Sequence, residues 1–219
     1  MASTDPKKRA NFLRIYNLLV DKGTEALRMC FDAILPPANL RAVLNANKEL
    51  LQVLNPWQMD LLFPRLGNRP DSTTFDITLL SFLLRNICAS LSPPTLGWDT
   101  EPLATDCNRE ADIVRIELFR NKIYARAVTP QIDNATFEEY WSKISDALHR
   151  LGIPAEEISN LKTCPLVHED ETTRENHNLG RHTTDRNTRE SLGEREMISC
   201  KTNARACFPT LFFKRVSHW

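Results

Sequence analysis

Along residues 1–162 apolar side chains recur at helical spacing, and beyond them the pattern stops. Asp5-Pro6 is a capping carboxylate followed by proline in the first turn. Phe12, Tyr16 and Leu19 then share one face, and Leu27, Cys30, Phe31 and Ile34 extend it. Gly23 sits midway, so the stretch reads as one long helix or two stacked pieces, ended by Pro36-Pro37. Asn39 is expected to cap a second helix with the stripe Leu40, Val43, Leu44, Leu51 and Leu54. A short helical turn is expected from Trp57 to Phe63.

Residues 64–72 are rich in Pro, Gly and Asn and read as a loop. Thr73 and Asp76 have the spacing of a capping box. The helix they open carries Phe75, Ile77, Leu79, Leu80, Phe82, Leu83, Leu84 and Ile87, apolar nearly all round, and is expected at the centre of the bundle. Pro93-Pro94, Gly97 and Pro102 force a long connection. Ile113, Ile116, Ile123 and Ala127 then mark a helix over about 106–128. Thr136 and Glu139 suggest another capping box. Behind it, Phe137, Trp141, Ile144, Leu148 and Leu151 form a clear helical face, stopped by Gly152 and Pro154. A last short helix is expected over about 155–161. No convincing strand pair appears, so the fold class is all-α, a multi-helix bundle.

From His168 to Glu196 only Leu179 and Leu192 are apolar. Such a segment buries too little surface to offset the entropy of ordering it. The expected organisation is a lead-in at 1–10, the bundle at 11–162 and a mostly disordered tail at 163–219. The closing run Phe208-Pro-Thr-Leu-Phe-Phe either docks weakly on the bundle or stays unordered.

Composition narrows the function classes without choosing one. Lys+Arg and Asp+Glu each total 28 among the 219 residues, which excludes a globally basic nucleic-acid binder but not a local basic patch. No apolar run approaches the roughly 18 residues of a membrane span, and the start of the chain lacks a signal-like apolar core. Six irregularly spaced cysteines do not make a disulfide framework, so a cytoplasmic protein with reduced thiols is expected. Cys164, His168, His177, His182, Cys200 and Cys207 are zinc-ligand types, but they lack paired spacing in register, and no metal is expected. Cys30 and Cys88 lie on apolar faces and read as small buried hydrophobes. Trp57, Trp98 and Trp141 read as packing anchors, and Lys7-Lys8-Arg9 as a solvated helix start. No phosphate loop, nucleophile elbow or zinc-protease motif occurs, and no cofactor is expected.

The segment with chemical content is Phe119-Arg120-Asn121-Lys122-Ile123-Tyr124-Ala125-Arg126-Ala127. Arg120 falls four residues after Ile116 and three before Ile123, on the apolar stripe of its helix. A guanidinium drawn toward a core interface is costly unless paired. It either snorkels to the rim or is a positioned cation at a cleft or dimer seam. Arg120, Lys122, Tyr124 and Arg126 are the candidate RNA-binding residues. Arg120 and Arg126 nevertheless stand about 240° apart around the helix, so one face cannot present both.

Arg120-Asn121-x-x-Tyr124-x-x-Ala127 near the end of a long bundle helix resembles the signature of HEPN domains. More narrowly, the chain is similar to the HEPN subtype found in the DAZ-interacting zinc-finger ubiquitin ligase. The resemblance covers roughly 11–162. It rests on Asn11-Phe-Leu-Arg-Ile-Tyr, Leu61-Leu-Phe-Pro, Phe75-Asp-Ile-Thr-Leu-Leu and Pro93-Pro-Thr-Leu-Gly-Trp-Asp. Ala111-Asp-Ile-Val-Arg, Arg120-Asn121 and Phe137-x-x-x-Trp141 complete it.

The resemblance implies a helical bundle that often dimerises. It also implies that active members cut RNA without metal, through an Arg and a His on one helix. Arg120 and Asn121 match, but Ala125-Arg126 stands where the family usually has Gly-His. An imidazole near pKa 6.5 can take the proton of a ribose 2′-hydroxyl at neutral pH, whereas a guanidinium, always protonated there, cannot and a phenol near 10 is a poor base. His149, the one histidine of residues 11–162, lies on a different helix. The expected function is a non-catalytic helical interaction or dimerisation module, working as a homodimer or with a protein partner. The motif Arg120, Asn121, Arg126 would then be a degenerate ribonuclease motif. The alternative is an RNA-binding protein or weak metal-independent endoribonuclease of the HEPN type.

Overall fold

Asp5 opens the first helix by accepting from the backbone N–H of Lys7 at 3.0 Å and of Lys8 at 3.5 Å. The computed structural model describes residues 5–65 and 68–166. The fold class is all-α, as the periodicity indicates. Helix α1 (Pro6–Asn17) begins inside the expected lead-in of 1–10. It continues through a π-helical segment, Leu18–Gly23, into α2 (Thr24–Ile34) without leaving helical backbone angles. The choice left open at Gly23 therefore resolves as one long helix with a widened turn. A Cβ on Gly23 would lie 3.2 Å from Ile77 Cδ1 and 3.3 Å from Ile116 Cγ2, so glycine permits this close approach.

The second expected helix is two helices. Helix α3 (Pro37–Ala46) starts at proline, two residues before Asn39, and stops where Asn47 turns its side-chain amide back to the Val43 carbonyl at 2.8 Å. Helix α4 (Lys48–Leu51) follows, then α5 (Pro56–Leu62), closed at its start by a reciprocal box between Asn55 and Gln58. Trp57, expected as an anchor, is 59% exposed on α5. The anchoring there is done by Leu44, Leu51 and Leu62.

A single 3-10 turn (Ser72–Thr74) precedes α6 (Ile77–Ile87). Thr73 does not cap α6. Asp76 does, accepting from the Leu79 N–H at 2.8 Å, because it stands immediately before the helix where its carboxylate reaches the orphan donor. The same holds for α8 (Asn134–Arg150), whose cap is Asp133 and not Thr136. Helix α7 (Arg109–Tyr124) is shorter than expected at both ends, and Ala127 is exposed in the turn beyond it. Gly152, at φ +103°, ends the turn after α8, and α9 (Ala155–Thr163) closes the described part.

The centre of the bundle is α7, and not α6 as the sequence suggests. Helix α7 packs against α1, the π segment, α6 and α8, whereas α6 lies between α2 and α7. Two of its buried residues are charged, Asp112 and Arg115, which hides its central position from a count of apolar side chains. Phe137, Trp141, Ile144 and Leu148 turn inward from α8 as expected. The ends of the chain's helical part are tied together. Asn11 donates to the Ile132 carbonyl at 3.1 Å, and Arg14 Nε donates to the Lys162 carbonyl at 2.8 Å. The expected disorder of the tail concerns residues that, from 167 onward, lie outside the described part.

Candidate functional site

Helix α7 buries its middle against four neighbours, and its last turn carries both core and surface side chains. Ile116, Phe119 and Ile123 stay in the core, while Arg120 reaches the rim half-buried. Its guanidinium lies at the rim of the single chain. It lies 4.1 Å over the Tyr124 ring and donates to Asn121 Oδ1 at 2.9 Å. Tyr124 is in turn 6.1 Å from the ring of Tyr16, on α1. Burial, and then the neighbouring Tyr124, push the Tyr16 phenol above its usual value of 10.

The other cations of this turn face away. Lys122 donates to Glu101 at 2.8 Å and sits 4.9 Å from the Phe119 ring. Arg126 lies 5.8 Å over Tyr140 of α8, on the opposite side from Arg120. Among the described residues the ion pairs here are those of Lys122 and Lys143 with Glu101, and of Arg85 with Asp99 at 2.7 Å and Glu117 at 3.4 Å. The motif residues are thus neighbours on one helix end but divide into two groups, Arg120–Asn121–Tyr124 with Tyr16, and Arg126 with Tyr140.

His149 is far from all of them. Its neighbour Arg150 grips Asp112, eight residues and about 12 Å along α7 from Arg120. That grip is a second polar centre, which sequence reasoning missed. Asp112 is fully buried and accepts from Arg115 at 2.8 Å and from Arg150 at 2.8 and 2.7 Å. Arg115 also donates to the Leu103 carbonyl at 2.6 Å, strapping the 88–108 connection onto α7. The Asp112–Arg115 spacing was the available signal, since an acid and a base three apart on a stripe with Ile113 and Ile116 are placed to pair. Every polar atom of Asp112 is used, so this centre holds structure and offers nothing to a ligand.

Among the described residues no group of three His, Cys, Asp or Glu side chains could hold a metal ion. Of the zinc-type residues considered, only Cys164 is described. Cys30 and Cys88 are buried, and burial pushes the Cys88 thiol up to about 11, far from reactivity. Lys7, Lys8 and Arg9 are all exposed on the first turn of α1. No described helix is long and apolar enough to cross a membrane.

The family model of the DZIP3/hRUL138-like HEPN domain matches residues 37–174, more than half of the chain. The chain belongs to this HEPN family. Its described relatives include the E3 ubiquitin-protein ligase DZIP3 of Mus musculus, 28% identical over 164 residues, and that of Homo sapiens, 29% identical over the same length. Each alignment takes in 71% of this chain but 14% of the ligase, so the chain spans a small part of the relatives it matches. No solved structure gives a significant match. The HEPN match takes in the whole of α3 to α9 and leaves α1, the π segment and α2 outside it, although α1 supplies Tyr16 to the candidate site.

Proposed function

We propose that this HEPN domain is a non-catalytic interaction module, acting with a second copy of itself or with a protein partner. The supporting observation is chemical. The groups in contact with Arg120 or with its ring partner are an amide, Asn121, and two phenols, one of them raised further from neutrality, while Arg126 faces another ring. None of these takes a proton from a ribose hydroxyl at neutral pH, and a general base typically supplies about 10²–10⁴-fold in rate. Position 126, where the family resemblance implies histidine, is the reason in this reading.

A second reading, RNA binding without cleavage, draws on one observation. Arg120 has no carboxylate partner among the described residues and stacks on an exposed tyrosine, the pairing of cation and ring that holds single-stranded nucleic acid. Light scattering after gel filtration of the full chain, with and without single-stranded RNA and with chelator present, separates the two. The module reading expects intact RNA and an unchanged mass. A shift in mass that is lost in Arg120→Ala favours the second. Cleavage that disappears in Arg120→Ala overturns both and makes the domain an enzyme. Arg126→His together with Ala125→Gly tests the cause, because it is the substitution expected to restore a measurable rate.

A further inference from the structure

The loop between α7 and α8 stands out from the bundle. Val128 is 93% exposed, Thr129 beside it is exposed as well, and Pro130 follows. Only two hydroxyl residues of the 219, Ser92 and Thr129, stand directly before a proline. Proline favours extended backbone in the residue before it and brings no N–H of its own. An extended acceptor followed by a residue without a donor is what the cleft of a proline-directed kinase takes. Ser92 and Thr129 are both exposed, so access does not choose between them. Their charged surroundings do. From Asn86 to Asn108, the connection that carries Ser92, there is no Lys or Arg, whereas Asp99, Glu101 and Asp106 all lie there. A phosphate on Ser92 would add to negative charge.

Around Thr129 the balance is the opposite. The Thr129 N–H donates to the Arg126 carbonyl at 3.1 Å, in a turn that keeps the two Cα atoms within about 7 Å. Three residues on, the Ile132 N–H donates to the Lys8 carbonyl at 3.0 Å, so the loop lies against the first turn of α1. Between them the Gln131 N–H folds back on the Thr129 carbonyl at 2.7 Å and shortens the span. Residues 5–9 and 125–134 hold four cations, Lys7, Lys8, Arg9 and Arg126, against two carboxylates, Asp5 and Asp133. Both carboxylates are engaged. Asp133 caps α8, and Asp5 caps α1 with Lys8 4.0 Å away. We propose that Thr129 is a phosphorylation site whose phosphate is received by Arg126 and Lys8, fastening the α7–α8 loop to α1. A nucleoside triphosphate supplies the group. The Thr129 oxygen bonds to the γ-phosphorus and the bond from that phosphorus to the bridging oxygen breaks. The hydroxyl proton passes to the kinase's carboxylate base, and the nucleoside diphosphate leaves. The product carries nearly two negative charges and three strong acceptors. It therefore draws the Arg126 guanidinium more strongly than the Tyr140 ring, 5.8 Å away, which holds it now.

The full chain is incubated with ATP, Mg²⁺ and proline-directed kinases of the cyclin-dependent and mitogen-activated classes. Phosphate is expected on Thr129, located by peptide mass spectrometry, and is lost in Thr129→Val and in Pro130→Ala. At low salt the modified chain melts about 2–4 °C above the unmodified one, and phosphatase reverses the gain. Most of the gain disappears near 1 M salt, where exposed charges are screened, and in the double variant Lys8→Gln with Arg126→Gln. Phosphorus NMR gives a second readout. Two cations beside the phosphate favour its dianion, so its second pKa falls below the usual value of about 6 and returns to it in the double variant. Phosphate confined to Ser92, or absent from Thr129 with both kinase classes, overturns the proposal. So does a phosphorylated chain that melts no higher than the parent, or one whose gain the double variant leaves intact.

Discussion

At the start of α7, Arg115 and Arg150 close on a carboxylate that water does not reach, while at its end Arg120 and Arg126 lie over tyrosine rings at the surface. One residue type on and against one helix serves two purposes, and the difference is saturation. Around Asp112 each donor aimed at the carboxylate has its acceptor, and removing Asp112 strands the Arg115 charge in the core. Around Tyr124 the guanidinium is oriented by a ring and one amide, and the carboxylate of Glu117 acts on it only at longer range. The first arrangement fixes the bundle. The second leaves a half-buried cation at the rim of the bundle.

The comparison breaks most visibly at Asp112. Asp112→Ala leaves Arg115 buried without its partner, and the expected cost is about 3–5 kcal/mol in denaturant unfolding. Replacing Asp112, Arg115 and Arg150 together by apolar residues of similar size should recover most of that loss. A triple variant as unstable as the single one would mean that the Leu103 strap, and not charge compensation, is what matters. At the other end Arg120→Ala is expected to cost only about 0.5–1 kcal/mol, the scale of an exposed cation–ring contact. A cost several times larger would make Arg120 a structural residue, like Arg115.

Acid titration gives the smallest effects and separates two carboxylates beside α7. Glu101, paired mainly through the Lys122 hydrogen bond, is held below its usual value of 4.5. Its contribution is fully present above that value and is lost as the pH falls through the depressed one. Both partners are well exposed, so Glu101→Gln should cost about 0.2–1 kcal/mol near neutrality and flatten the acid limb of the stability curve. Glu117 is raised, chiefly by burial against the pull of Arg85. Its ionised form costs stability above its folded value, and that cost is relieved as the pH falls through it. Glu117→Gln should therefore steepen the acid limb. Parallel shifts in the two variants would contradict the assignment.

Much of this was legible in the chain. The stripe Phe137, Trp141, Ile144 and Leu148 names its own buried face, and the position of Arg120 at a helix end follows from Ile116 and Ile123. The capping spacings misled because Asp133 and Asp76 reach the orphan donors themselves, so the Thr–Glu and Thr–Asp matches fell on the wrong residues. The centre of the bundle was misplaced because α7 buries charge, and burial of charge is visible only once the partner, Arg150, is known to arrive from another helix. The Tyr16 neighbour of Tyr124 was hidden for the same reason. It lies on α1, and no local pattern points across that distance.

The hydrogen bond from Arg14 to the carbonyl of Lys162 has a consequence for biosynthesis. The two residues are 148 positions apart, and Asn11 reaches Ile132 across 121. A ribosome adding about 5–20 residues each second delivers α9 roughly 7–30 s after α1 has been made. Through that interval the N-terminal rod has no finished bundle to close against, and its apolar stripe waits in solvent or on a chaperone. Speed of translation and early shielding of Phe12, Ile15 and Leu19 therefore bear on yield in the cell, independently of how stable the completed bundle is.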